Sequence, residues 1–143
     1  MVKSKKKVVK QLEQLSDITK HIIYKAKTVF PFDLFPNTVI LDINKLSINY
    51  HGLIRRDEFP VLIEDVKNIQ TYHGLFFSTL RVEIAGYETN PPDLTMLWPE
   101  DANRIKRYVL ALLEAKKRRI DLTVLDKKSL QNKLEELGKA LEA

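Results

Sequence analysis

NTVILDINKLSINYHGLIRRDEFP, residues 37–60, moves the chain from helical to strand-like spacing, and its reading decides the fold. Over residues 45–50, Leu46, Ile48 and Tyr50 fall on one face and Lys45, Ser47 and Asn49 on the other, the period of two that a half-buried strand requires. Thr38–Ile43 is a nearly continuous β-branched and apolar run. Asp42–Lys45 (DINK) has the composition of a tight turn, and His51-Gly52 that of the next one. Leu53–Phe59 reads as a third strand, with Pro60 at its end because proline cannot donate to a ladder. Arg55 and Arg56 sit side by side in this stretch. Adjacent strand residues face opposite ways, so one is expected in solvent and the other near a barrel mouth or paired with Asp57, Glu58 or Glu83. They read either as an anion contact or as a solvated strand face whose ion pairs contribute little.

Outward from this stretch the period of two continues. Glu64–Thr71 gives a fourth strand. Leu80, Val82 and Ile84 alternate with Thr79, Arg81 and Glu83, residues 86–93 form a loop, and Leu94, Met96 and Trp98 alternate again. Short strands at this spacing predict an antiparallel meander. On the N-terminal side, Val8, Leu12, Leu15, Ile22 and Ala26 recur at helical spacing, with Val9, Ile18 and Ile23 widening the stripe. Residues 5–28 are therefore expected as one amphipathic helix, ended by the Phe- and Pro-rich stretch 29–36. On the C-terminal side, Pro99 suits a first helical turn and Glu100 and Asp101 its positive end. Ala102, Ile105, Val109, Leu112 and Leu113 form the buried stripe, and Lys116–Arg119 suit the negative end. Asp126 can cap a last helix in which Leu130, Leu134, Leu137 and Leu141 recur, with Gly138 weakening it.

The 143 residues allow one domain with appended helices, at 44% hydrophobic and 30% charged residues. The absence of cysteine excludes disulfides, thiolate zinc sites and a cysteine nucleophile. No apolar run approaches the roughly 20 residues of a membrane span, and no apolar region follows the basic N-terminus as in a signal peptide. A cytoplasmic location is expected, with peripheral attachment to a membrane as the alternative. The net charge of +5 is unevenly spread. Residues 1–30 carry eight lysines and two acids, 31–97 five cations and nine acids, and 98–143 eleven cations and eight acids. Attraction to phosphate therefore resides at the two ends.

A meander followed by an amphipathic helix is solved by a curled, partly open barrel that the helix plugs. DLFPNTVILDINKLSINYHGLIRRDEFPVLIEDVKNIQTYHGLFFSTLRVEI, residues 33–84, resembles the bacterial pleckstrin-homology-like domain. The carrying features are the turn Asp42–Lys45, strand Leu46–Tyr50, turn His51–Gly52, Arg55–Arg56 before Pro60, Glu64–Ile69, Gly74–Phe77 and Thr79–Val82. The resemblance covers about residues 34–115. It implies an α+β fold with a pleckstrin-homology-like antiparallel split barrel and a C-terminal capping helix over 99–117, flanked by N- and C-terminal amphipathic helices. The expected organisation is 1–33 basic helix and connection, 34–119 barrel and capping helix, and 120–143 final helix. In members that bind phosphoinositides the turn between the first two strands is basic. Here it is DINK, which departs from that pattern.

Candidate anion or membrane contacts are Lys3, Lys5, Lys6, Lys7, Lys116, Lys117, Arg118, Arg119, Arg55 and Arg56. The alternative for both end clusters is a solubilising tail and a dipole-matched helix end. Candidate interaction positions are Leu12, Leu15, Ile22, Leu130, Leu134, Leu137 and Leu141. Phe30, Phe32, Phe35, Phe76 and Phe77 form a binding rim or insert into a membrane, or else close a barrel or bury a helix face. His21, His51 and His73 lack metal-ligand spacing, no phosphate-binding glycine motif occurs among four glycines, and neighbouring acids split across faces. No catalytic residue, metal or cofactor is expected. The expected function is a non-enzymatic binding module for protein–protein assembly, with a protein partner or a second copy. Attachment to an anionic membrane is the alternative, and nonspecific nucleic-acid binding a third reading.

Overall fold

The period-two region forms two antiparallel sheets in the computed structural model, which describes residues 2–19, 22–86 and 89–142, with side chains from Ser4 to Glu13 and from Ile22 onward in those ranges. The first sheet has the order β1 (Ile22–Lys27), β2 (Thr38–Asp42), β3 (Lys45–His51) and β4 (Arg56–Leu62). The second has the order β5 (Val66–His73), β6 (Ser78–Ile84) and β7 (Leu94–Leu97). Helix α1 (Val2–Thr19) precedes them, and α2 (Pro99–Lys117) and α3 (Lys127–Glu142) follow. The fold is α+β, and no ladder joins the two sheets into a closed barrel among the described residues.

The expected helix 5–28 is corrected: it stops by Thr19, and Ile22–Lys27 is a strand paired with β2. The reason is a bulge. The β1–β2 register shifts between Ile22 and Tyr24, so the buried residues Ile23 and Ala26 stand three apart, the spacing of a helix. Ile22, read as a helical contact residue, is half-buried in this strand. The third strand is also displaced. Leu53–Arg55 form the β3–β4 turn, closed by Gly52 N–H donating to the Arg55 carbonyl at 2.8 Å. Pro60 lies inside β4, opposite Ser47, and β4 is an edge of its sheet, where a missing donor is tolerated. The fourth strand starts at Val66, after a 3₁₀ turn over Ile63–Asp65.

Local chemistry explains the corners. The buried Asp42 Oδ1 accepts from the Asn44 and Lys45 amides at 2.7 and 2.8 Å, which closes the β2–β3 turn as an Asx turn. The 3₁₀ turn ties the sheets together, with Ile63 N–H donating to the Asn44 carbonyl and Ala85 N–H to the Asp65 carbonyl. Leu46, Ile48, Val61, Ile63, Leu80, Val82 and Leu97 then meet in one core, and α2 covers it with Ala102, Ile105, Val109 and Leu112. Inside this layer Tyr24 donates to Asp101 and packs edge-on against Tyr108.

α3 runs back along α2. Leu130 and Leu134 are each 2% exposed and Leu137 is half-buried, so these leucines are spent inside the chain; Leu141 remains exposed. Arg107 clamps the pair through Glu135 at 2.9 Å and Glu142 at 3.2 Å. Gly138 permits the approach: a Cβ there would lie 2.6 Å from both the Cβ and the carbonyl oxygen of Arg107. Glycine thus weakens the isolated helix but seats it on α2. Gly138→Ala should therefore lower stability by about 1–3 kcal/mol through overpacking, despite the higher helix propensity of alanine. Thermal unfolding checks this, and an unchanged or raised midpoint would contradict the close packing.

Burial, followed by the contact with Asp101, raises the Tyr24 phenol, and burial followed by the charge of Asp93 pushes Tyr50 up to about 12. Both hold their protons after an unfolded tyrosine, near 10, has started to lose its own. Their contribution is complete below about pH 10 and is lost as pH rises through the folded values. The urea midpoint should fall between about pH 10 and 12, and Tyr24→Phe should make that fall shallower.

Candidate functional site

The strand registers give the molecule two distinct ends. At one, Lys27 faces Thr38 and His51 faces Arg56, so the β1–β2 loop and the β3–β4 turn lie together. At the other, Ile22 faces Asp42 and Lys45 faces Leu62, which places the β2–β3 turn beside the entry from α1.

The first end is aromatic. The β1–β2 loop is held by its own side chains: Thr28 Oγ1 donates to Asp33 Oδ2 at 2.7 Å and accepts from the Asn37 amide, while the Phe35 amide donates to Asp33 Oδ1. The Val29 amide reaches the Met96 carbonyl of the second sheet at 2.9 Å, and the His51 amide donates to Asn37 Oδ1 at 2.8 Å. The loop therefore bridges both sheets. The β5–β6 turn joins it, because Phe77 packs on Phe32 and Trp98 with centroids 5.1 and 5.5 Å apart. Gly74 is needed in that turn, since a Cβ would lie 2.9 Å from the Phe77 carbonyl oxygen. Phe77 closes the loop junction, while Phe30, Phe32, Leu34, Phe35, Leu75 and Phe76 stay exposed, Phe76 at 69% and Leu75 at 89%. Leu53 and Ile54 add two more exposed aliphatics on the β3–β4 turn.

Arg55 and Arg56 belong to this end. Arg55 lies in the turn, so strand alternation does not separate the two, and neither pairs with Asp57, Glu58 or Glu83. Both are exposed.

The second end is basic. Lys116 Nζ donates to Asn44 Oδ1 at 3.2 Å, which sets the C-terminus of α2 against the β2–β3 turn. Gln131 Nε2 donates to the Ile23 carbonyl at 2.5 Å, which brings α3 to the start of β1. Lys117, Arg118 and Arg119 are exposed, and Arg118 pairs with Glu114 at 2.9 Å. On α1, Lys5, Lys6, Lys7 and Leu12 are exposed, and the side chains of Lys3 and Leu15 lie outside the described residues, as does His21. The structure thus roots α1 at the same end as the basic terminus of α2, a convergence that sequence spacing does not reveal.

His73 and Asp93 are each engaged by a neighbouring side chain. His73 Nδ1 lies 2.6 Å from Ser78 Oγ across the β5–β6 ladder, with Ser78 buried and no carboxylate orienting the ring among the described residues. Asp93 is held below the usual carboxylate range by its hydrogen bonds from Arg81, at 2.8–3.3 Å. Among the described residues there is no group of three or more His, Cys, Asp and Glu placed to hold a metal, and no helix is long and apolar enough to cross a membrane. Comparisons with protein-family models, curated proteins and solved structures give no significant match.

Asp33 organises the aromatic loop by accepting from two segments of it. Asp33→Ala should remove that bracing and speed hydrogen exchange at the Phe35 and Asn37 amides, while the amides of β3 and β6 keep their protection. Equal acceleration throughout would show that the loop is not a separate unit.

Proposed function

We propose that this chain is a non-enzymatic binding module for protein–protein assembly, and that it docks a partner polypeptide on its aromatic end. One observation carries this reading. Phe30, Phe32, Leu34, Leu75 and Phe76 are exposed together on loops that hydrogen bonds and ring contacts hold in place. A contiguous exposed apolar patch of this kind marks an interaction site. Aromatic anchors on a braced loop bind with little ordering cost. The flanking Arg55 and Arg56 supply a polar rim.

The scaffold reading stays with the pleckstrin-homology-like resemblance. A four-stranded meander, a three-stranded meander and a covering helix follow one another in that order, and α2 spans the residues where the resemblance puts a capping helix. A module of this kind presents loops and strand edges to partners.

A photo-crosslinking residue placed at Leu75 in the full chain tests the docking surface. Illumination in cells should give a discrete polypeptide adduct, either with a second copy or with another protein. That adduct should be lost in a Phe32→Ser/Phe76→Ser background whose unfolding midpoint is unchanged. No polypeptide adduct, or one indifferent to those substitutions, would overturn the proposal.

A further inference from the structure

The basic end combines features that the aromatic docking surface leaves unused. Residues 116–128 carry six cations and two aspartates. Both aspartates are exposed and engaged locally: Asp121 accepts from the Thr123 amide and hydroxyl, and Asp126 from the Ser129 amide at the start of α3, so the stretch keeps a net charge of +4. Those bonds hold both carboxyls below their ordinary range. Five of the six cations are exposed, Lys116 being half-buried against Asn44, and Lys117, Arg119, Lys127 and Lys128 have no ion-pair partner among the described residues. Between them two branched aliphatics are exposed, Ile120 at 54% and Val124 at 79%.

α1 repeats the pattern. At about 100° per residue, Val8, Val9 and Leu12 share one side of the helix and Lys6, Lys7 and Lys10 the opposite side, with Lys5 in the middle of the apolar side and Glu13 at its border. All of them are exposed, Leu12 at 60%. Two like-charged segments do not cover one another, so the apolar side chains of one are poorly placed to be buried by the other.

The conformation of Arg119 is a further sign. The end of α2 is a Schellman motif, with Ile120 N–H donating to the Ala115 carbonyl and Arg119 N–H to the Lys116 carbonyl. Arg119 occupies its left-handed position, at φ 55°, where glycine is favoured. A cation stands where the backbone prefers no side chain.

Unpaired cations interleaved with exposed aliphatics match a surface that is anionic outside and apolar beneath. We propose that α1 and the α2–α3 connection together dock this end of the protein on an anionic lipid bilayer. Val8, Val9, Leu12, Ile120 and Val124 enter the interface, long lysine stems let Lys5 reach past them, and the remaining cations sit on lipid phosphates. A nucleic acid would use the cations and leave the aliphatics exposed. This surface is independent of the aromatic end.

Co-sedimentation of the full chain with phosphatidylcholine vesicles, with and without phosphatidylserine, tests the proposal. Binding should require phosphatidylserine and weaken with salt. Lys117→Glu/Arg119→Glu should weaken it at least about tenfold, since each charge near the surface matters at about 1 kcal/mol. Val9→Ser/Leu12→Ser should also weaken it, leaving duplex DNA binding unchanged. Arg119→Gly should raise the unfolding midpoint yet weaken vesicle binding, opposite signs that a purely structural residue would not give. Phe32→Ser/Phe76→Ser should bind vesicles like the parent chain. The proposal is overturned if vesicles are not bound, if binding ignores phosphatidylserine, or if Val9→Ser/Leu12→Ser is without effect. It is likewise overturned if those serines only dissolve a dimer seen by sedimentation equilibrium.

Discussion

Two open sheets that share no continuous ladder among the described residues leave an apolar gap between them, and the buried stripe of α2 fills it. Ala102, Ile105, Val109 and Leu112 lie on the core formed by Leu46, Ile48, Leu80 and Val82. Burial of this stripe fixes the direction of α2, and much else follows from that direction. The N-terminal turn places Trp98 against Phe77 at the aromatic end. The C-terminal turn brings Lys116 to Asn44 at the basic end. α3 then has one course available, back along α2, and Gly138 lets it approach closely.

The same geometry separates two kinds of surface chemistry. Loops at one end offer aromatic and aliphatic side chains on a hydrogen-bonded frame. Turns and helix ends at the other offer cations and scattered aliphatics. Charge broadly follows this division: the acidic middle of the sequence forms six of the seven strands, β2 to β7, whereas the basic segments lie in α1, β1 and around the α2–α3 connection. The two proposed contact surfaces therefore lie at opposite ends and do not overlap.

Much of the architecture was legible because hydrophobic period reports directly on which face is buried. Leu80, Val82 and Ile84 alternate in β6 as read, and Pro99 opens α2 as expected. Failures fell where local spacing and tertiary structure disagree. The bulge in β1 imitates helical spacing through Ile23 and Ala26, which hid a strand inside an apparent helix. Pro60 reads as a strand end, yet an edge strand has no need of its missing donor. The leucines of α3 read as candidate interaction positions, but Leu130 and Leu134 are buried within the chain, where a helix of that length gains its stability by packing. The aromatic end was legible only in part, because Phe32, Phe77 and Trp98 are remote in sequence and meet only in the fold. The convergence of the basic segments rests on two long-range contacts, Lys116 to Asn44 and Gln131 to the Ile23 carbonyl, together with strand register, and no sequence signal announces them.

Native-state hydrogen exchange tests most directly whether α2 holds the sheets together. The account predicts that the amides of residues 105–112 open only with the global transition, at the same free energy as those of β3 and β6. Exchange of α2 at a distinctly lower free energy, with both sheets still protected, would show that the sheets stand without it and would contradict the account.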